Sequence, residues 1–342
     1  MGLIVYGHVA HASTVWLTPP IYLKQLGVAF FLFATGFTLA RERRDAVEVL
    51  FNRLFPVYFF GLSLAALIAA LGLATGSGLA LSNVWPFLAG ANVLFDNFPA
   101  NPTTWYLGTY VHVLVLWALL LRRVRVRLWM VAMAVVIEIP VRALLIATAG
   151  RFVAYMLLTN WLAVFLLGMA RGGADDREAA GGPLPYAGAL LAGGVAWGAM
   201  TRPFGFDPTF PFMSLDGWPS ASGLMVVSAT ASLLYVSATW LVYEATRRAA
   251  APATVRFVAR NSLIIFLAHM PVFLALHPVL VKLGLTYWAR VGVQCVVCLG
   301  VLAALSEAVH LAIDLGRLRT AAYLVFTSGL GRRRPRELPL PS

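Results

Sequence analysis

The chain has 342 residues, of which 60% are hydrophobic and only 12% are charged. A soluble domain usually carries about 25% charged residues, so this composition excludes a water-soluble globular domain of ordinary surface polarity. The net charge is +12. On a soluble protein this charge would indicate a nucleic-acid partner, but in a membrane protein basic residues in cytoplasmic loops fix the topology, and we expect no nucleic-acid partner.

Ten apolar segments follow one another along the chain, each close to the roughly 20 residues that cross the hydrocarbon core as a helix. Their predicted limits are 1–17, 22–40, 54–73, 105–121, 128–149, 152–170, 185–201, 222–244, 260–280 and 287–313. The sequence therefore predicts an all-α, polytopic membrane helical bundle with about ten transmembrane helices. We assign one domain to residues 1–330 and a basic, proline-rich cytoplasmic tail, predicted to be disordered, to residues 331–342.

The distribution of arginine supports this order of spans, because cytoplasmic loops carry an excess of basic residues. With the N-terminus inside, the inner loops and the tail hold most of the 26 lysines and arginines. These residues are Arg41, Arg43, Arg44, Arg53, Arg122, Arg123, Arg125, Arg127, Arg171, Arg177, Arg247, Arg248, Arg256, Arg260, Arg317, Arg319, Arg332, Arg333, Arg334 and Arg336. We therefore predict that both termini face the cytoplasm.

Two pairs of ionisable side chains inside the predicted spans have the spacing of neighbours on one helix face. Glu138 and Arg142 flank Pro140 in the fifth span, where a self-neutralising pair is the structural interpretation. Glu307 and His310 lie near the inner end of the last span, where an interfacial pair is expected. A charge inside a span is costly, so each pair is also a candidate for function.

Histidine and cysteine patterns give no prediction of a metal site. His8 and His11 share a face of the first span, but two histidines without a third ligand rarely hold a metal. Cys295 and Cys298 form a CxxC inside an apolar run, which favours two small packing residues over a redox or metal role. A lone histidine in a span, such as His112, is more often a hydrogen-bonded packing residue than a catalyst.

The first third of the chain carries an ordered set of motifs. Tyr6-Gly7-His8 ends an apolar run, and residues 27–41 read GVAFFLFATGFTLAR. An arginine-rich turn then leads to Arg53-Leu54-Phe55-Pro56. In composition and order these segments resemble the acyltransferase 3 family of integral membrane acyltransferases.

Motifs in the rest of the chain extend the resemblance over nearly its whole length. They are TWYL at 104–107, FLLGM at 165–169 and NSLIIFLAHMP at 261–271. The family usually has an arginine about ten residues before its histidine, and here only seven residues precede His8. Thr35 stands where the family usually has serine, which keeps a hydroxyl group.

The resemblance implies transfer of an acyl group, acetyl or succinyl, from cytoplasmic acyl-CoA to an acceptor of the cell envelope. Acetyl-CoA is the expected donor, and the acceptor is a sugar or another small compound with a hydroxyl or amine group. The implied location is a bacterial cytoplasmic (inner) membrane, with the lipid bilayer as a partner. No metal cofactor is expected.

The same resemblance suggests roles for individual residues. His8 takes the place of the family's essential histidine and is the predicted catalytic residue, because a neutral imidazole can accept the proton of an attacking hydroxyl or amine. Trp105 and His269 are predicted to bind the substrate. For Trp105 an interfacial belt position is the alternative, and for His269 a packing role.

Four arginines match the family's basic turn: Arg41, Arg43, Arg44 and Arg53. Guanidinium groups bind phosphate oxygens through paired hydrogen bonds, so these residues are the predicted CoA-binding site. The alternative is a topology signal that contacts anionic lipid.

Two other functions stay open. Ten helices with buried charges also suit a transporter or flippase of a lipid or small solute, although transporters often contain internal repeats and none is visible here. A catalytically inactive family member that acts as a partner is the third alternative.

Overall fold

The computed structural model describes residues 1–11, 20–74, 88–94, 105–174, 184–201, 220–247 and 249–329. Within these ranges all regular secondary structure is helical, which confirms the predicted all-α class. The helices are α1 (Gly2–His11), α2 (Pro20–Ala40), α3 (Ala46–Ala74), α4 (Trp105–Leu119), α5 (Leu128–Ala149), α6 (Arg151–Met156), α7 (Leu162–Gly172), α8 (Leu184–Thr201), α9 (Ala221–Thr246), α10 (Ala253–Arg260), α11 (Ser262–Lys282), α12 (Tyr287–Ala312) and α13 (Leu315–Gly329). The predicted tail, 331–342, lies outside the described residues.

Five helices are long and apolar enough to cross a membrane: α3, α5, α9, α11 and α12. Shorter apolar stretches lie in α2, α4, α7 and α8. These lengths fit an integral membrane protein. The count of ten spans and the orientation of the chain stay predictions.

One end of the bundle is rich in arginine and is called the basic end below. A hydrogen bond of 3.0 Å joins Arg122, after α4, to the backbone carbonyl of Arg44, between α2 and α3. Another, of 3.1 Å, joins Arg41 to the carbonyl of Gly172 at the end of α7. Three of the segments that the sequence predicts on one side of the membrane, those after α2, α4 and α7, therefore meet at one end of the fold.

The third helix begins earlier than predicted, at Ala46 instead of residue 54. The Asp45 carboxylate accepts a hydrogen bond of 2.9 Å from the backbone N–H of Val47, which satisfies one of the free donors of the first turn. Arg53 was assigned to an inner loop, but it lies inside α3, and Pro56 also lies within the helix.

The closest packing in the bundle is between α2 and α7. A Cβ atom on Gly36 would collide with the carbonyl oxygen of Phe165, and one on Gly168 with that of Phe33. Gly168 and Gly172 form the small-xxx-small pattern that lets membrane helices bring their backbones together. Only hydrogen fits at these positions, so α2 is held in a fixed register against α7.

The sixth predicted span is interrupted, which corrects the prediction of one continuous helix over 152–170. Helix α6 ends at Met156, a 3-10 turn covers Leu158–Asn160, and α7 begins at Leu162. Irregular backbone is costly at membrane depth unless protein groups bind its free polar atoms.

Arg142 on α5 supplies donors for this interruption and is 0% exposed. Its Nε donates to the Asn160 side chain at 2.6 Å, and one terminal nitrogen donates to the Asn160 carbonyl at 3.2 Å. The other terminal nitrogen donates to the carbonyl of Ser228 on α9 at 2.5 Å. One guanidinium therefore ties the turn to two neighbouring helices.

Glu138, one turn earlier on α5, supplies the acceptors. It is 2% exposed and accepts hydrogen bonds from the backbone N–H of Ala163 at 2.7 Å and from the Ser232 hydroxyl at 2.8 Å. Its other close partner is Arg142, at 3.5 Å. A carboxylate at the first turn of α7 also interacts favourably with the helix dipole. These contacts agree with the structural interpretation of the pair.

Helix α1 lies between two groups of helices. Ile4 packs in the main apolar cluster with α2, while Val5 and Val9 pack in a second cluster with Ile265 of α11 and Cys298 of α12. Because apolar side chains cover both of its faces, α1 is fixed between α2 and α11. His8 is consequently held close to α11.

Candidate functional site

Two histidines from opposite ends of the chain meet between α1 and α11. The ring centroids of His8 and His269 are 5.2 Å apart, and their planes are inclined by 56°. This separation places the two rings in direct contact. The structure thus brings together the predicted catalytic residue and one of the two predicted substrate-binding residues.

His269 is 1% exposed and has a defined tautomer. Its Nδ1 lies 2.7 Å from the carbonyl oxygen of Phe266 and 3.1 Å from that of Ile265. Both oxygens can only accept, so we assign the proton to Nδ1 and a lone pair to Nε2.

A widened turn of α12 supports the same position. The helix has π-helical geometry over Val297–Val301, and the Cys298 thiol donates to the His269 carbonyl at 3.7 Å. Such π turns are frequent at functional sites. The thiols of Cys295 and Cys298 are both free, and Cys298 is buried in apolar packing, as the packing interpretation predicted.

A cavity of about 320 Å³ lies between α2, α3, α4 and α11. Each of these helices contributes two side chains at i, i+4 spacing, and Pro56, Leu107 and Leu263 complete the lining. The four pairs are Phe31 with Thr35, Arg53 with Val57, Tyr106 with Tyr110, and Ser262 with Phe266. The lining is apolar, with one guanidinium and a few hydroxyl groups.

Three aromatic rings of the cavity lining lie in contact with one another, and one of them also contacts His269. Ring centroids are 5.1 Å apart for Tyr106 and Phe266, 6.2 Å for Phe31 and Tyr106, and 6.3 Å for Phe31 and Phe266. We call these three residues the aromatic triangle. Phe266 also contacts His269, with centroids 5.9 Å apart. Phe266 therefore contacts both the cavity and His269.

Arg53 is the member of the predicted CoA-binding set that lines this cavity, among the residues that the structure describes. Its guanidinium donates to the Thr38 hydroxyl at 2.9 Å, near the end of α2. The cavity therefore has a positive charge toward the basic end and aromatic rings at its other end.

The other three arginines have different surroundings. Arg41 lies over the ring of Phe37 at 4.1 Å, in addition to its bond to Gly172. Arg43 is exposed. Arg44 forms an ion pair of 2.7 Å with Glu42, and its hydrogen bonds lower the pKa of that carboxyl to about 2. Glu42 therefore neutralises much of the charge of Arg44.

Trp105 lies at the start of α4 and packs against Tyr155 and Tyr106, with centroids 5.0 Å and 6.1 Å apart. Its neighbour Tyr106 lines the cavity. The role of Trp105 in substrate binding stays a prediction.

Glu307 has a different main partner from the one expected. It pairs with Arg260 at 2.5 Å and accepts a hydrogen bond of 2.6 Å from the Asn261 side chain, which joins the end of α12 to the start of α11. His310 instead packs edge-on against Phe60. In the described part of the chain, no group of three histidine, cysteine, aspartate or glutamate side chains could hold a metal ion.

Sequence reasoning missed several residues around the cavity, notably Phe31, Tyr110, Ser262 and Phe266. The i, i+4 spacing of small polar and aromatic residues was a signal in the sequence. It could not be separated from ordinary helix packing until the four helices were seen to face one another.

Comparison with known protein families agrees with this arrangement. The model of the acyltransferase 3 family, described as an acyltransferase domain, matches residues 1–306. No curated protein and no solved structure matches the chain significantly. The matched region includes the histidine pair, the arginine turn and the whole cavity, and ends within α12. The chain therefore belongs to the acyltransferase 3 family of acyltransferase domains.

Proposed function

We propose that this protein transfers a short acyl group from cytoplasmic acyl-CoA, with acetyl-CoA the expected donor, to an acceptor of the cell envelope. The acceptor is a sugar or another small compound with a hydroxyl or amine group. The proposal rests on one observation. The histidine pair, His8 and His269, lies next to a cavity of about 320 Å³ whose lining includes Arg53. The membrane is a bacterial cytoplasmic membrane, with the basic end inside.

The donor enters from the basic end. Arg53 binds a phosphate oxygen of CoA, because a guanidinium stays charged and offers a planar pair of donors. Arg41 and Arg43 are available at the same end to contact the nucleotide part, whereas Arg44 is largely neutralised by Glu42. The thioester arm then lies along the apolar cavity, with the hydroxyl groups of Thr35 and Tyr110 as partners for its amides.

His8 acts as the general base. The acceptor oxygen or nitrogen attacks the thioester carbonyl carbon, a C–O or C–N bond forms, and His8 takes the acceptor's proton. The C–S bond then breaks, and the imidazolium of His8 returns the proton to the leaving CoA sulfur. His8 is neutral before and after the cycle, so the proton balance is closed.

His269 is a positioning residue in this proposal. Because its Nδ1–H is held by two backbone carbonyls, its Nε2 can only accept a hydrogen bond. A bond from one ring nitrogen of His8 to this Nε2 would leave the other nitrogen of His8 with its lone pair toward the acceptor. This arrangement is similar to that of a histidine base held in one tautomer by a neighbouring acceptor.

The test uses purified protein in lipid vesicles with radiolabelled acetyl-CoA or succinyl-CoA and an envelope glycan extract. His8→Ala is expected to lower transfer by about 10²–10⁴-fold, the usual contribution of a general base. His310→Ala is the matched control, because His310 is exposed and contacts Phe60 rather than the cavity. Its transfer rate should equal that of the wild type.

Two results would contradict the proposal. Normal transfer by folded His8→Ala protein would remove the role of His8. Absence of transfer and of binding with both donors, by the wild type, would favour a transporter or an inactive partner of a glycan pathway.

One observation favours a transporter as the second candidate, since discontinuous helices form substrate sites in many transporters. Here the interruption at Leu158–Asn160 is bound by Arg142 and Glu138, and it does not line the cavity. Solute uptake by vesicles that contain His8→Ala protein would separate the two functions, because a transporter would not need this base.

A further inference from the structure

We propose that the aromatic triangle limits the length of the acyl group, and that Phe266 is the specificity-determining residue. This inference rests on the proposed function, because it assigns the far end of the cavity to the acyl group. The ligand class is a thioester with a chain of about two to four carbons.

The volume of the cavity supports a short chain. At about 320 Å³ it lies at the lower end of ligand pockets, which span roughly 300–1,000 Å³. The thioester arm of CoA must occupy much of this space if Arg53 binds its phosphate end. Little room then remains in front of the aromatic triangle, where the acyl carbons must lie.

The position of Phe266 gives it control of this space. It lines the cavity, contacts both other rings of the triangle and lies next to His269 one turn further along α11. A ring in this position meets the end of the acyl chain and lies beside His269. Its removal would extend the cavity toward His269.

The other two rings are less suitable for this role. Tyr106 also contacts Trp105 and Tyr110, so removal of this ring would disturb the packing of α4 itself. Phe31 lies on α2 beside Thr35, and its removal would widen the cavity without exposing His269. Phe266 is thus the one ring of the three that contacts both the cavity and the histidine.

The experiment compares Phe266→Ala and Phe266→Leu with the wild type, using acetyl-, butyryl-, hexanoyl- and octanoyl-CoA as donors. The measured quantity is the ratio of the hexanoyl to the acetyl transfer rate for each protein. We expect Phe266→Ala to raise this ratio at least tenfold. Phe266→Leu, which keeps an apolar side chain and is the less disruptive change, should raise it by less.

Leu263→Ala is the matched control, because Leu263 lines the same cavity from the same helix, three residues nearer the basic end. This change enlarges the cavity but does not open it toward His269. Its hexanoyl-to-acetyl ratio should stay within about twofold of the wild type, whatever its absolute rate.

Equilibrium binding of acetyl-CoA and hexanoyl-CoA is measured in parallel. If the wild type transfers acetyl groups but both folded Phe266 variants keep its ratio, the chain-length inference is wrong and the proposed function stands. If Leu263→Ala shifts the ratio as much as Phe266→Ala, general enlargement explains the effect and Phe266 has no special role. If the wild type neither binds nor transfers acetyl-CoA, the proposed function is wrong, and this inference with it.

Discussion

At the scale of single residues, the ionisable groups inside the helices divide into two kinds. Glu138 and Arg142 have their polar atoms bound by backbone and side-chain partners around the α6–α7 turn. His269 contacts Phe266 of the cavity lining, and His8 contacts His269. Ionisable groups inside a membrane are usually either paired or functional. Glu138 and Arg142 are paired within the protein, whereas the two histidines lie near a cavity that can hold a ligand.

The first kind leads to a prediction about stability. Arg142→Met removes the donors for the Asn160 carbonyl and leaves Glu138 as an uncompensated buried charge. Breaking a buried ion pair from one side typically costs about 3–5 kcal/mol. We expect a large fall in the midpoint of thermal unfolding in detergent, measured by the fluorescence of a thiol-reactive dye or by loss of soluble protein.

A double variant distinguishes the contribution of the ion pair from that of the hydrogen bonds that the same two residues make to the α6–α7 turn. Glu138→Leu with Arg142→Leu removes both charges, which often restores stability when only the pair matters. Here the N–H of Ala163 and the carbonyl of Asn160 would remain without these partners, so the double variant should stay unstable. Recovery to the wild-type midpoint would show that the turn does not depend on the pair.

At the scale of elements, the fold depends on how closely α2 approaches α7. Gly36, Gly168 and Gly172 remove the Cβ atoms that would otherwise collide with carbonyl oxygens of the facing helix. Membrane helices gain little from burying apolar surface against one another, so close packing supplies most of their association. The position of α2, and with it Phe31 and Thr35 in the cavity, follows from this contact.

Gly168→Ala tests this contact. The added methyl group would meet the carbonyl of Phe33, and overpacking of this kind costs about 1–3 kcal/mol. Gly188→Ala is the control, because Gly188 is also helical but has open space around it, and alanine is the better helix former. In detergent, the unfolding midpoint should fall for Gly168→Ala and stay level or rise for Gly188→Ala; equal midpoints would contradict the close-packing explanation.

At the scale of the whole molecule, charge separates the two ends of the bundle. The segments that follow α2, α4 and α7 meet at one end, where Arg41 donates to the Gly172 carbonyl and Arg122 to the Arg44 carbonyl. The excess of basic residues predicts that this end faces the cytoplasm. The proposed donor path depends on that orientation, because acyl-CoA is a cytoplasmic compound.

Cysteine labelling of intact cells tests the orientation. Arg123→Cys is placed at the basic end and Leu283→Cys in the turn between α11 and α12, where both native residues are exposed. A membrane-impermeant maleimide should label Leu283→Cys in intact cells and Arg123→Cys only after permeabilisation. The reverse pattern would overturn the predicted orientation and the cytoplasmic entry of the donor.

Much of the architecture could be predicted because a helix in a membrane is a local structure. Apolar length predicted the helices well, including the limits 128–149 of α5, since backbone hydrogen bonds within each segment need no distant partner. The interruption after Met156 was not predicted, because the residues that stabilise it, Glu138 and Arg142, lie on another helix. The early start of α3 was not predicted, because the continuous run of apolar residues that defined the span begins only after Arg53.

The sequence by itself determined that the chain is an all-helical protein with membrane-type helices and that it resembles the acyltransferase 3 family, because composition, segment length and ordered motifs are properties of the chain. It also singled out His8, Arg53 and His269. Only the tertiary structure decided that His8 faces His269 and that Arg53, rather than Arg44, lines the cavity. It also decided that Phe266 contacts both the cavity and His269. These relations depend on which faces of distant helices pack together, and Gly36, Gly168 and the Glu138–Arg142 pair fix that packing through contacts that no local pattern contains.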